Sequence, residues 1–104
     1  MELKLDPGTY DDYLSALMME MMQTIHVKLV EAGLSDQQLE QTAAEIAFSI
    51  SSIIDDNAAI EADGKEIKPY LMFQTDDNEV MHCGENSYLH EKVYEALKKQ
   101  YEKK

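Results

Sequence analysis

Residues 10–33 constrain the fold most, because this long and largely apolar segment has the pattern of one extended helix. On a helical wheel of about 3.6 residues per turn, its apolar side chains fill an arc of roughly half the circumference. The members of this arc are Tyr10, Tyr13, Leu14, Leu17, Met18, Met21, Met22, Ile25 and Leu29. We expect the arc to face the core.

A second apolar strip remains on the far side of the same helix. Steps of seven and four residues place Met19, His26 and Val30 on one face. Gathered apolar residues often mark an interaction site, and a second copy of the chain is the simplest partner. Tyr10 and Tyr13 join this predicted homodimer interface, because tyrosine suits both interfaces and core edges. The open alternative is that other segments of the same chain cover the strip.

The boundary between the first two helices is strongly specified. Gly33 can adopt the left-handed conformation that ends a helix. Ser35 and Gln38 have the spacing of a capping box, and Leu34 and Leu39 occupy the hydrophobic-staple positions. So short a connection predicts that the two helices are antiparallel neighbours.

The second helix is predicted to run from residue 36 to about residue 56. Its apolar residues recur at alternating steps of four and three, which is typical of a helix packed lengthwise on another. This predicted seam consists of Leu39, Ala43, Ile46, Ile50 and Ile53. Phe48 and Ile54 lie off the seam and require a second covering surface.

The first five residues alternate weakly, and they suit either a short edge strand or a disordered lead-in. Residues 6–8, Asp-Pro-Gly, form a turn signature. Thr9 is then expected to cap the first helix, which begins near Tyr10.

The second half of the chain is predicted to contain a β-hairpin with strands at residues 70–75 and 80–83. If Thr75 lies opposite Val80, Phe73 faces His82. An Asp-Gly pair at residues 63–64 also suits a smaller hairpin between residues 59–61 and 66–68, with a plain loop as the alternative.

A last helix is expected to begin after a cap at Asn86 or Ser87 and to end near Tyr101. The predicted fold is therefore a single α+β domain over residues 1–104: two antiparallel helices, followed by a β-hairpin and a C-terminal helix.

The charge balance restricts the classes of partner. The chain has 9 lysines, no arginine and 21 acidic residues, for a net charge of -12. Direct nucleic-acid binding is disfavoured, because phosphate contacts rely on Lys and Arg. Three interpretations of the acidity stay open: attraction to a basic protein, imitation of a phosphate backbone to occupy a nucleic-acid-binding protein, or solubility alone.

Reactive side chains gather only around residues 82–90. Cys83 precedes a predicted helix N-terminus, which lowers a thiol pKa, and His90 is the candidate base. The alternative is that Cys83 is a small buried apolar residue. Neighbouring strand residues point to opposite faces, so His82 and Cys83 make a poor metal site, and we expect no metal or cofactor.

A lone cysteine excludes an internal disulfide and suits a reducing compartment, and no apolar run approaches the roughly 20 residues that span a bilayer. We therefore expect a cytoplasmic protein without membrane contact. The favoured function is an acidic, non-catalytic interaction module that forms a homodimer and acts as an inhibitor or regulator of a basic or nucleic-acid-binding partner. The alternative is a small cysteine-dependent or acid–base enzyme that uses Cys83 and His90.

Overall fold

The computed structural model describes residues 1–102 and confirms the predicted α+β architecture. The helices are α1 (Pro7–Glu31), α2 (Asp36–Ile54) and α3 (Val93–Tyr101), and a short 3-10 helix (Leu89–Lys92) leads directly into α3. The strands are β1 (Glu2–Leu5), β2 (Glu61–Ala62), β3 (Lys65–Glu66), β4 (Phe73–Asp76) and β5 (Glu79–His82). The helical half and the mixed half follow the predicted order.

The first strand resolves the choice left open for the start of the chain. β1 lies at one edge of a three-stranded sheet with the order β1-β5-β4, and it pairs in parallel with β5. The predicted hairpin is formed by β4 and β5. Its register differs by one residue, because the pairing is irregular around Thr75 and places Phe73 opposite Met81 rather than His82. A bulge of this kind changes which side chains face each other.

The smaller hairpin is also present, with strands of only two residues. Asp63 and Gly64 both have positive φ, at 53° and 78°. This is the requirement of a type I′ turn, which matches the twist of the flanking strands. One further hydrogen bond, from the Ile67 amide to the Ile60 carbonyl at 2.8 Å, extends the pairing.

The helix ends follow from local chemistry, with one correction. Asp6, not Thr9, caps α1, since its Oδ1 accepts a hydrogen bond from the Thr9 amide at 3.2 Å. Pro7 occupies the first turn, where its missing N–H does no harm. Gly33 adopts φ 87°, and the Gln38 side chain accepts the Ser35 amide at 3.1 Å, as expected for a capping box.

The two long helices bury stripes that repeat every four residues. The fully or almost fully buried positions are Tyr10, Leu14, Met18 and Met22 on α1, and Leu39, Ala43, Ala47 and Ser51 on α2. Stripes of this spacing are typical of helices that cross obliquely, at about 50°, rather than lie side by side. The predicted seam is therefore wrong beyond Ala43, and its three isoleucines lie outside the buried stripe.

The C-terminal segment and the sheet complete the core. Leu89, Val93 and Ala96 are buried against α1 and α2, and Met81 contributes from β5. Tyr10 has its hydroxyl inside the domain, where it donates to the Leu71 carbonyl at 2.7 Å. The sheet and the C-terminal segment thus cover part of the helical pair. Other apolar residues of α1 and α2 stay exposed.

Ser51 generates a prediction about stability. Its hydroxyl is buried and has no hydrogen-bond partner among residues 1–102. An unsatisfied buried hydroxyl is destabilising by about 1 to 3 kcal/mol. We expect Ser51→Ala to raise the free energy of unfolding by about 1 kcal/mol in urea titration. Ala47→Ser, on the same stripe, is the matched control and should lower it; a destabilised Ser51→Ala protein would contradict the assignment.

Candidate functional site

The predicted interface strip on α1 is only partly available at the surface. Met19 packs against the core, and His26 Nδ1 lies 2.8 Å from the Tyr101 hydroxyl oxygen. Val30 is 51% exposed and Tyr13 is 40% exposed. Tyr10 is fully buried, so its place in the predicted interface is corrected: the sheet and the C-terminal segment cover it.

Another exposed apolar surface lies on α2. Ile46, Ile50 and Ile53 are 36%, 45% and 43% exposed and follow one another along the helix. Ile46 and Ile50 border a shallow groove of about 260 Å³ between α1 and α2, with Met21 and Ile25 on its other wall. We call these five residues the isoleucine face.

The isoleucine face results from the packing of small residues on α2. Ala43, Ala47 and Ser51 allow α1 to approach closely, so the buried stripe follows them and passes beside the isoleucines. The sequence contained this signal, since three small side chains recur at steps of four. The larger isoleucines, at steps of four and three, nevertheless favoured the prediction that the isoleucines are buried, because large apolar side chains gain most from burial.

The second notable cluster centres on Asp55 at the C-terminal end of α2. Its side chain has no exposed surface. One carboxylate oxygen accepts a short hydrogen bond from the Ser87 hydroxyl. The other accepts the His90 amide at 2.8 Å and pairs with His90 Nδ1 at 2.5 Å. Asp55 therefore caps the last helical segment from more than 30 residues away, a role that sequence reasoning had given to Asn86 or Ser87.

The hydrogen bonds around Asp55 determine its protonation state. Burial raises the pKa of a carboxyl group, but the bonds from Ser87 and His90 outweigh it, and the pKa of Asp55 lies below its ordinary value. Asp55 is thus an anion at neutral pH. Because a carboxylate can only accept, His90 Nδ1 carries the hydrogen of this bond, and in an uncharged imidazole the other ring nitrogen, Nε2, is then a hydrogen-bond acceptor.

His90 lies at the side of a second groove, which we call the α2–α3 groove. This open depression of about 670 Å³ separates the outer faces of the two helices. Phe48 makes an edge contact with His90, with the ring centroids 5.9 Å apart, and Tyr94 and Leu97 line the opposite wall. His90 is therefore a positioned group beside an apolar surface.

Cys83 follows β5 and is partly buried against the core. Its Sγ lies 3.2 Å from the Glu85 carbonyl oxygen, as a local donor. His90, its predicted base, is instead hydrogen-bonded to Asp55. The sequence indicates a turn at Asp55 and Asp56, with a weak cation contact as the one site role that it suggests for them. No local pattern links Asp55 to His90, because the contact is formed only in three dimensions.

Comparison with protein-family models, curated proteins and solved structures gives no match for this chain. Within residues 1–102, no helix has the length and apolar character needed to cross a membrane. In the same described part of the chain, no three His, Cys, Asp or Glu side chains converge in a way that could hold a metal ion. The two grooves and the Asp55 cluster are therefore the features from which function is inferred.

The Asp55 cluster predicts a pH-dependent contribution to stability. A carboxyl group with a lowered folded pKa stabilises the protein above its unfolded pKa of about 3.9, and this contribution is lost as the pH falls through the folded value. We expect Asp55→Asn to lower the free energy of unfolding by about 2 to 4 kcal/mol at pH 7, with the deficit shrinking towards pH 3.

Urea titrations at pH 7, 5 and 3 measure this difference. Asp56→Asn is the matched control, because Asp56 has φ 66°, which asparagine tolerates, and it should have little effect at any pH. A deficit for Asp55→Asn that is equal at all three pH values would contradict the charged state of Asp55.

Proposed function

We propose that this protein is an acidic, non-catalytic interaction module that forms a homodimer through the isoleucine face. The observation that carries the proposal is a group of three exposed isoleucines that follow one another on α2 beside an almost entirely apolar groove. Exposed apolar patches on small proteins are often interaction sites. The proposal transfers the predicted homodimer interface from Met19, His26 and Val30 to α2.

The isoleucine face suits a second copy of the chain better than a charged partner. Among residues 1–102, Glu20 is the one ionisable side chain that lines the groove between α1 and α2, beside Thr24 and the apolar residues. A two-fold axis would place isoleucine against isoleucine without requiring complementary charges. A basic partner would gain little from this surface, since it offers few anions.

The second part of the proposal concerns the acidic surface outside the isoleucine face. Residues 1–64 contain thirteen acidic residues and two lysines, so most of the negative charge belongs to the first part of the chain. Such a field accelerates association with a basic protein. The dimer would act as a regulator or inhibitor of a basic or nucleic-acid-binding protein, in the cytoplasm, where the single thiol of Cys83 stays reduced.

The dimer is tested by substitution of Ile50. A buried unpaired carboxylate in an apolar interface costs several kcal/mol, so Ile50→Glu should sediment as a monomer at concentrations where the natural protein is a dimer. Val30→Glu adds the same charge at an exposed position on α1 and should leave the dimer intact. Added salt should not weaken the natural dimer, because it screens repulsion between the acidic subunits. A natural protein that sediments as a monomer at 100 μM would refute the proposal.

A second candidate function is acid–base catalysis by His90. The observation that favours it is the Asp55–His90 pair, since a buried carboxylate that holds Nδ1–H leaves Nε2 ready to accept a proton. In this case His90 Nε2 takes a proton from water as the water oxygen attacks an ester carbonyl, and returns it to the leaving alkoxide. Cys83 remains the alternative nucleophile.

Hydrolysis of p-nitrophenyl acetate tests this second candidate. An active His90 should give a rate that falls at least about tenfold in His90→Gln and keeps its value in His26→Gln. Alkylation of Cys83 with iodoacetamide across pH 6 to 10 reports the thiol separately, and an ordinary pKa of about 8.5 would remove it as the nucleophile. Equal rates for the natural protein and His90→Gln would end the acid–base proposal.

A further inference from the structure

We propose that the α2–α3 groove binds an arginine or lysine side chain carried by an apolar segment of a basic protein. The inference rests on the proposed function in taking a basic protein as the partner, but it does not require the dimer. Phe48 lies on the side of α2 away from Ile46 and Ile50, so the two surfaces can be occupied independently.

The walls of the groove supply apolar and aromatic contact. Phe48 and Tyr94 are 52% and 71% exposed, and Leu97, Val93 and Ala44 complete the lining between them. Exposed aromatic rings attract cations through the negative faces of their π-systems. The same rings also bury the aliphatic part of a long basic side chain.

The charged side chains that line the groove are anions, and the hydroxyl groups of Ser49 and Tyr94 can donate or accept a hydrogen bond. Glu45 and Glu91 line it, and neither forms an ion pair with any lysine or histidine among residues 1–102. His90 also lines the groove, and its Nδ1 is engaged by Asp55. In the described part of the chain, residues 1–102, no lysine lines the groove. A cation with several N–H donors fits this arrangement, whereas a carboxylate or phosphate would face two glutamates.

One contact within the chain already places a cation beside one wall of the groove. Lys98 Nζ lies 6.0 Å from the centroid of the Tyr94 ring, within the range of a cation–π interaction. Lys98 is therefore already the cation beside the Tyr94 ring. An incoming basic side chain would lie nearer to Phe48, between Glu45 and Glu91.

Other occupants agree less well with the charges. A second copy of this chain contains no arginine and has a net charge of -12, so its approach to Glu45 and Glu91 brings mostly like charges together. Nucleic acid would place phosphates against the same carboxylates. A segment with basic and apolar residues on one face would place its apolar residues against the walls of the groove and its basic residues beside Glu45 and Glu91.

The test uses a fluorescein-labelled helical peptide of alanine and leucine with three arginines, and a partner peptide in which glutamine replaces each arginine. Fluorescence anisotropy measures the dissociation constants. The arginine peptide should bind the natural protein at least about tenfold more tightly than the glutamine peptide. Phe48→Ala should weaken binding of the arginine peptide by about tenfold, with thermal unfolding as the check that the exposed substitution leaves the fold intact.

A matched pair of charge variants separates the groove from the general acidity of the domain. Glu45→Gln with Glu91→Gln removes two charges from the groove, and Glu61→Gln with Glu66→Gln removes two from the β2–β3 hairpin. The two double variants therefore have the same net charge as each other. The first pair should weaken binding about fivefold or more, and the second by less than about twofold.

Three results would overturn the inference: equal weakening by the two charge pairs, equal binding of the two peptides, or no binding at all. Equal weakening would leave the acidic interaction proposal standing, since long-range charge would then explain the affinity. Monomeric Ile50→Glu protein should bind the arginine peptide as well as the natural protein does. Loss of the dimer and loss of peptide binding in the α2–α3 groove are therefore separate outcomes.

Discussion

Close packing of α1 against α2 along stripes of every fourth residue determines most of this structure. Ala43, Ala47 and Ser51 have little volume, so the backbones can approach where larger residues would hold them apart. Burial of Met18 and Met22 in that contact supplies a large apolar area, at about 25 cal/mol for each Å² removed from water. The oblique packing that these stripes indicate leaves Ile46 and Ile50 beside the contact rather than within it, which is why an apolar face remains.

The same packing places the end of α2 where the last helical segment begins. Asp55 can then accept hydrogen bonds from Ser87 and from two nitrogens of His90. A buried carboxylate is costly unless its oxygens are satisfied, and here both are. The arrangement joins the two halves of the chain, and it also holds the His90 ring beside Phe48, with Nδ1 at Asp55. Structural support and a defined chemical group are thus supplied by one interaction.

α2 presents two different surfaces because its two outer sides have different neighbours. Towards α1 the surface is uncharged apart from Glu20, which suits a second copy of the chain. Towards α3 the surface combines aromatic rings with Glu45 and Glu91, which suits a cation. The proposed dimer, with the proposed cation-binding groove on each subunit, would contact a basic protein at two points, and linked contacts of this kind raise the overall affinity beyond that of either contact alone.

The sequence by itself determined the features that depend on neighbouring residues. Gly33, the capping box at Ser35 and the Asp63–Gly64 turn were all predictable, because their geometry is satisfied within a few residues. Tertiary structure alone decided which face of α2 is buried and which residue caps the last helix. Ile50 is large enough to pack on α1, but the buried face of α2 is the one with Ala43 and Ala47, where the two backbones can approach closely. Asp55 met His90 only because two distant segments fold together, and no pattern along the chain records that contact.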